Sequence, residues 1–359
     1  MALFTPLSLR SVTIPNRVGV SPMCQYSAEH GLANDWHLVH LGARAIGGAG
    51  LVMTEAAAVS PEGRISPQDL GLWSDEQIPP LARIASFLSA QGSVPAIQLA
   101  HSGRKASTKR AWDGGGPALT ADGGWSPVLA PSAVPFDEGW QLPQALDEAG
   151  MARVVDAFAS ATRRAATAGF RVAEIHAAHG YLLHQFLSPI ANRRIDSFGG
   201  SLENRMRFPL RVVEAVRFAW PGDLPLFLRI SATDWVEGGF VPDEAVVFVR
   251  QAHALGIDLV DCSSGGMHPR AQVPVGPGYQ VPFAERIRAE TGIATAAVGL
   301  ITTARQAADI VEKGQADLVL LGREMLRSPQ WALRASAELG TPLPGPRPYE
   351  RARPFGAVL

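Results

Sequence analysis

The sequence predicts an α/β protein, a single-domain (β/α)8 TIM barrel. Three observations carry the prediction. Eight short apolar runs recur along the chain without strict alternation, the pattern of strands buried on both faces. Amphipathic segments lie between most of them, so the strands pair in parallel. The length of 359 residues exceeds an average domain but suits one barrel. A doubly wound sheet is the alternative.

The predicted strands span residues 17–20, 50–54, 94–99, 171–175, 226–230, 258–262, 294–298 and 317–321. Helices are expected over 75–90, 146–168, 201–220, 242–255, 283–290, 303–313 and 330–339. The first of these sets Ile78, Leu81, Ile84, Ala85 and Leu88 on one stripe. Pro242 with Asp243 makes a good helix start, and Gly256, Gly292 and Gly314 are stop signals. Residues 101–142 break the rhythm. They are rich in Gly, Pro and Trp, and a loop this long in a compact domain is expected to act as a cap.

Composition excludes several classes. Apolar residues make up 47% and charged residues 18%, enough for a large core, and the net charge of −1 gives no field for nucleic acid or an anionic membrane. The two cysteines, Cys24 and Cys262, rule out a disulfide framework and an iron–sulfur cluster. Arg10 interrupts any signal-peptide core, and no run of about 18 apolar residues occurs, so a cytoplasmic protein is expected.

Chemistry in such barrels sits at the C-terminal ends of the strands. Those ends offer Ser21 to Tyr26, Glu55 and Ala56, Gln98 and His101 with Arg104 and Lys105, then His176, His179 and Tyr181, then Arg229, Ser263 to Gly266, Gly299, and Gly322 with Arg323. The opposite ends offer mainly turn residues. Glycines after strands seven and eight, with an arginine, suit a phosphate held by backbone N–H groups and a bidentate cation. A turn pair beside a surface arginine is the plainer reading. No G-x-G-x-x-G follows a strand, which argues against a dinucleotide fold.

The stretch "EIHAAHGYLLHQFLSP" holds the sharpest signal. His176 and His179 leave a strand end together with Tyr181. A metal site would need further ligands, with Glu55 the best placed, and none completes the shell locally, so no metal is expected. A structural pair is a second possibility. The third is two donors aimed at a substrate oxygen with Tyr181 as proton source, since tyrosine holds its proton at neutral pH.

In order along the chain stand "SPMCQYSA", "PEGRISPQDLGLWSD", "IQLAHSGRKAS", "HAAHGYLLHQFLSPIANRRIDSFGGSLENRMRF", "LRISATDW", "AVGLIT" and "LGREML". Through these motifs the chain resembles the Old Yellow Enzyme family of flavin-dependent ene-reductases, in its thermophilic-like bacterial branch, from Phe4 to Arg351. The resemblance implies tightly bound, non-covalent FMN in the barrel. It implies reduction of the C=C bond of enones, enals, quinones or similar small molecules at the expense of NADPH or NADH. Ser21, Pro22, Met23, Cys24, Ala56, Gln98 and Arg229 would contact the flavin, and Gly299, Gly322 and Arg323 its phosphate. His176 and His179 would bind the substrate carbonyl, Tyr181 would protonate the α-carbon after hydride reaches the β-carbon from flavin N5, and Tyr26 would line the substrate side. The "PYERARPFGAVL" ending resembles the branch's Tyr-x-Arg tail, in which an arginine, here Arg351, reaches a neighbouring subunit's site. Residues 340–359 form that tail. A homodimer or homotetramer is implied, with no nucleic-acid or membrane partner. Ser102 departs from the branch's usual alanine.

Related flavin enzymes with cysteine clusters and extra domains do not fit two cysteines and this length. A metal-dependent hydrolase on the same barrel would be colourless, and a binding protein would lack the proton donor or the anion site. The purified protein should therefore be yellow, with an absorption spectrum of bound flavin; a colourless protein after incubation with excess FMN would contradict the reading.

Overall fold

The computed structural model describes residues 1–352. Eight parallel strands close into a barrel, each bonded to the next along the chain and the last to the first. They are β1 (Val18–Val20), β2 (Leu51–Ala58), β3 (Val94–Ala100), β4 (Val172–Ala177), β5 (Leu226–Ser231), β6 (Leu259–Ser263), β7 (Ala294–Ala297) and β8 (Leu318–Leu321). Every residue of β2 to β6 is buried, because one face lines the barrel and the other meets helices. That double burial explains the missing alternation in the sequence.

All eight predicted strands are present, with one correction. The second was expected to end at residue 54, with Glu55 and Ala56 beyond it. Instead β2 runs on to Ala58. Its register with β3 shifts between Met53 and Ala56, after which Ala56, Ala57 and Ala58 face Gln98, Leu99 and Ala100. A bulge of this kind re-aims a side chain. Glu55 accepts from the Gln25 N–H at 2.8 Å and lies 3.1 Å from His37 Nε2.

The helices are α1 (Asp35–Ile46), α2 (Ile78–Ala90), α3 (Glu148–Thr167), α4 (Leu182–Leu187), α5 (Leu202–Ala219), α6 (Pro242–Ala254), α7 (Val281–Thr291), α8 (Ala304–Glu312), α9 (Arg323–Arg327) and α10 (Trp331–Glu338). Seven lie on the expected segments; the first of those begins as a 3-10 turn over Asp75–Gln77. Three were not expected. In α1, exposed Trp36 and Val39 blur the apolar stripe, although Asn34 and His37 form a capping box at its start. Helix α4 is buried on every side, and α9 is little more than a turn, so neither shows a stripe.

The core lies between strands and helices, with Phe158, Phe208, Phe227 and Phe248 completely buried. An antiparallel hairpin, Leu7–Leu9 with Val12–Ile14, lies across the N-terminal ends of the strands. There Arg10 donates to Asp258 at 2.7 Å and to the Gly222 carbonyl at 2.6 Å. Ligands are thus left the opposite mouth. Over residues 101–142 the chain forms short 3-10 turns and one two-residue strand, Leu129–Ala130, which pairs with Gln144–Ala145.

Buried Asn16 fastens β1 to β2. Its carbonyl accepts from the N–H groups of Val18 and Gly50, both at 3.1 Å, and its amide donates to the Gly48 carbonyl at 3.0 Å. A Cβ at Gly50 would come within 2.4 Å of the Asn16 backbone oxygen and 2.8 Å of its side-chain oxygen. Asn16→Ala should cost about 1–3 kcal/mol, since it strips partners from buried backbone groups; urea unfolding checks this, and a change below about 0.5 kcal/mol would place the fastening elsewhere.

Candidate active site

The ladder register assembles the mouth. Ala56 faces Gln98, Gln98 faces Glu174, His176 faces Arg229, and Arg229 faces Asp261. Cross-strand neighbours stand about 5 Å apart, so four adjacent strands, β3 to β6, deliver polar side chains to one place, with Ala56 of β2 beside them. Gln98 Nε2 donates to Glu174 Oε1 at 2.7 Å, which leaves the Gln98 carbonyl oxygen for a ligand. The Arg229 guanidinium is buried, 2.9 Å from Asp261 and 3.2 Å from Ser21 Oγ. Its Nε–H does not point straight at the Asp261 oxygen, so the pair is a close ionic contact rather than a linear hydrogen bond.

Two carboxylates share that one cation. Burial and the Asp261 charge push Glu174 up to about 8, against Arg229 and the Gln98 bond; burial pushes Asp261 up to about 6. Asp261 lies against the Arg229 cation, whereas Glu174 has only the Gln98 amide, and this geometry assigns the pair's proton to Glu174.

His176, His179 and Tyr181 meet as expected. The His176 ring stands edge-on to those of His179 (centroids 5.1 Å) and Tyr181 (5.0 Å). Burial, then Arg229, holds both imidazoles well below their ordinary range, so both are neutral at pH 7. The Ala178 N–H donates to His176 Nδ1 at 3.2 Å, which puts the ring proton on Nε2. His179 Nε2 lies 2.7 Å from Ser263 Oγ. That hydroxyl also lies 3.3 Å from Gln280 Oε1; when it donates to the imidazole, 2.7 Å away, Nδ1 carries the proton. Burial, then nearby Cys24 and Tyr26, raises Tyr181, so its phenol stays protonated. Lys105 Nζ sits 5.1 Å from the Tyr181 ring centroid and donates to the carbonyls of His179 (2.8 Å) and Gly266 (3.1 Å).

On the facing side are Cys24 and Tyr26. Burial first, then Asp69 and Glu55, raises the Cys24 thiol far above its usual value, so it is an unreactive thiol rather than a thiolate. Tyr26, at φ +51°, stacks edge-on against Trp112 of the 101–142 segment at 5.8 Å.

A cleft of about 280 Å³ opens between the ends of β7, β8 and β1, lined by Ser21, Met23, Arg229, Gly299, Gly322 and Arg323 among others. A Cβ at Gly322 would point at Met23 Sδ 3.7 Å away and narrow the cleft. Gly299 has φ +125°, and a Cβ there would press Gln280 and Tyr279 at 3.0–3.1 Å. Among the described residues, Arg323 has no carboxylate partner, and the N–H groups of Gly299, Leu300 and Ile301 take no acceptor. The Arg323 guanidinium and open amides suit a phosphate, and the glycines leave it room.

The structure therefore gathers Ser21, Met23, Cys24, Tyr26, Ala56, Gln98, His176, His179, Tyr181, Arg229, Gly299, Gly322 and Arg323 around one mouth, with Pro22 on the same loop. Arg351 is not among them. It is exposed on the turn Arg347–Ala352 and makes no hydrogen bond or ion pair with them in its own chain. Residues 353–359 of the tail lie outside the described residues. Glu55, the best-placed extra ligand for a metal, is turned away to His37, and no cluster of three metal-binding side chains occurs among the described residues. No helix among them is long and apolar enough to cross a membrane. Sequence reasoning missed Glu174 and Asp261. The available signal was a single carboxylate inside an otherwise apolar strand, "VAEIHA" and "LVDCS".

A profile of the NADH:flavin oxidoreductase / NADH oxidase family matches residues 2–341. NADPH dehydrogenase of Geobacillus sp. (strain WCH70) is 46% identical over 98% of this chain and 99% of its own. NADPH dehydrogenase of Bacillus subtilis (strain 168) is 44% identical over 97% and 98%. Among solved structures, morphinone reductase superposes with a TM-score of 0.79 at 28% identity, over 96% of this chain and 91% of that one. A second, morphinone reductase in complex with tetrahydroNAD, has a TM-score of 0.78 at 27% identity, over 97% and 93%.

A pH dependence follows from Glu174. Its folded-state pKa, about 8, stands above the ordinary 4.5. Between those values the folded state holds a proton that the unfolded state releases, so stability falls as pH rises through the window. Relative to Glu174→Gln, the wild-type Tm should drop from about pH 5 to about pH 8; parallel Tm profiles would show that Glu174 is already ionised.

Proposed function

The chain belongs to the NADH:flavin oxidoreductase / NADH oxidase family, the Old Yellow Enzyme family, and on that premise we propose that it reduces the activated C=C bond of α,β-unsaturated carbonyl compounds. It is an FMN-dependent oxidoreductase that draws electrons from NADPH or NADH. The single observation that carries the finer reading is the trio of His176, His179 and Tyr181, with two neutral rings and a protonated phenol meeting at the barrel mouth.

The residues present fit FMN. Arg323, Gly299 and Gly322 would hold the phosphate in the cleft, and Gln98, Arg229, Ser21, Pro22, Met23, Cys24 and Ala56 would surround the isoalloxazine. Held there, FMN would supply two-electron hydride chemistry, linking the nicotinamide to the β-carbon of the alkene.

The protein's part is electrostatic and acid–base. His176 Nε2–H and His179 Nδ1–H bind the substrate carbonyl oxygen. Negative charge grows there as the β-carbon is reduced, and fixed N–H donors of this kind are each worth about 3 kcal/mol in the transition state. Neutral rings suit the task, because they keep the same proton inventory across the working pH range. Tyr181 O–H then protonates the α-carbon. Its raised pKa prevents premature ionisation, while a carbanion-like carbon is basic enough to take the proton. Tyr26 and Trp112 wall the substrate side. The 101–142 segment caps the mouth, and Arg351 completes a neighbouring protomer's mouth in a homodimer or homotetramer.

Tyr181→Phe should slow reoxidation of the reduced enzyme by cyclohexenone by about 10²-fold or more, the usual share of a general acid, while reduction by NADPH stays within about twofold. Equal slowing of both half-reactions in anaerobic stopped-flow would sink the proton-donor role. His176→Ala combined with His179→Ala should abolish the long-wavelength charge-transfer band formed with phenols; a band of unchanged midpoint in the double variant would mean that these rings do not hold the ligand oxygen.

A further inference from the structure

His184 lies on α4, one turn past Tyr181, and neither the motif nor the mechanism above uses it. Its side chain is completely buried, as is that of Asp234. The Gly180 N–H donates to His184 Nδ1 at 2.9 Å, so Nδ1 is the lone-pair nitrogen and the proton is on Nε2. Nε2 stands 2.9 Å from Asp234 Oδ1, bent away from a straight bond. Asp234 Oδ2 accepts from Ser188 Oγ at 2.6 Å and from the Phe240 N–H at 2.7 Å. Burial alone would raise that carboxyl, yet His184, Ser188 and Phe240 hold it below the ordinary range, so a permanent anion backs the imidazole.

What His184 grips is the peptide between the two reactive side chains. Residues 179 and 180 both occupy the left-handed region, at φ +57° and +73°. For His179 this is a strained conformation that the surroundings must impose. They do so at every backbone handle. The His179 N–H donates to Ser231 Oγ at 2.9 Å, and the His179 carbonyl accepts from Lys105. The Gly180 carbonyl accepts from Gln185 Nε2 at 2.7 Å, and the Gly180 N–H is taken by His184. A Cβ on Gly180 would strike the Gly266 carbonyl oxygen at 2.1 Å, so the turn has no room to shift toward β6. Tyr181 opens α4 without capping it by its side chain, which leaves its hydroxyl for other work.

We propose that His184, backed by Asp234, is a positioning residue for alkene reduction: its Nδ1 lone pair fixes the Gly180 peptide and thereby aims the His179 donor and the Tyr181 acid at one substrate. The inference rests on the Tyr181 reading above. It assigns His184 no contact with substrate or flavin. Its effect is selective because Gly180 lies between the oxygen-binding His179 and the proton-donating Tyr181, whereas electron uptake from NADPH uses no proton from Tyr181.

Two isosteres separate the two nitrogens. His184→Asn keeps an acceptor near the Nδ1 position for Gly180 and loses the reach to Asp234. His184→Gln keeps the reach to Asp234 and loses the acceptor. In anaerobic stopped-flow, His184→Gln should slow cyclohexenone-driven reoxidation by about 10-fold or more, the scale of an ångström-level misplacement, and weaken phenol binding in the charge-transfer band. Flavin reduction by NADPH should stay within about twofold. His184→Asn should keep the reoxidation rate within about threefold although its Tm falls below that of the Gln variant, because it abandons a buried anion. Equal rates in the two variants, or losses that follow Tm, would reduce His184 to a structural side chain and overturn the proposal. Asp234→Asn covers the case in which one isostere fails to fold: its oxygen is claimed by Ser188 and Phe240, so its NH2 faces His184 Nε2 and drives the ring proton to Nδ1, against the Gly180 N–H; a selective loss of about tenfold in reoxidation supports the proposal, and reoxidation within about threefold overturns it. Tyr181→Phe runs alongside. If it shows no selective loss, the proton-donor reading has failed; if it does while His184→Gln does not, only the present inference has.

Discussion

One buried guanidinium organises this molecule. Arg229 stands on β5 between His176 of β4 and Asp261 of β6, and it touches Ser21 beyond β1. Its charge helps to keep both imidazoles neutral and opposes the upward shifts of Cys24, Tyr181 and Glu174. Taking such a charge out of water costs several kcal/mol unless it is paired. Asp261 supplies the pairing, and Glu174, unable to claim the same cation, carries a proton instead. The protonation pattern at the mouth, with neutral histidines, a protonated phenol and a protonated thiol, follows first from burial; the one cation reinforces it at the imidazoles and opposes it at the phenol and the thiol.

The barrel makes that placement reproducible. Parallel strands in fixed register bring Gln98, Glu174, His176, Arg229 and Asp261 side by side without any of them lying close in sequence, except Glu174 and His176. The N-terminal hairpin occupies the other end of the barrel, so polarity and access coincide at a single face. The strained turn at His179 and Gly180 then carries the reactive groups from the rigid ladder into α4 within a few residues.

Much of this was legible beforehand. Strands buried on both faces announce themselves as apolar runs, and polar residues just past them mark the mouth, which is why Gln98, His176 and Arg229 could be read directly. The bulge in β2 could not. It depends on pairing between β2 and β3, which local sequence does not encode, and it sends Glu55 to His37 instead of the mouth. Helices α1 and α4 escaped because one exposes apolar residues and the other buries every face. Glu174 and Asp261 were hidden by their company: within an apolar strand, a lone acid is informative only once its neighbour across the ladder is known.

The cleft at the ends of β7, β8 and β1 joins the two extremes of the chain, Ser21 and Met23 from the beginning and Gly299 to Arg323 from near the end. The cleft can therefore form only after the chain has been synthesised through the segment that carries Arg323. Once seated, a phosphate would rivet the seam where the first and last strands meet. An anion bound there would act as the clasp of a bracelet, holding the circle shut.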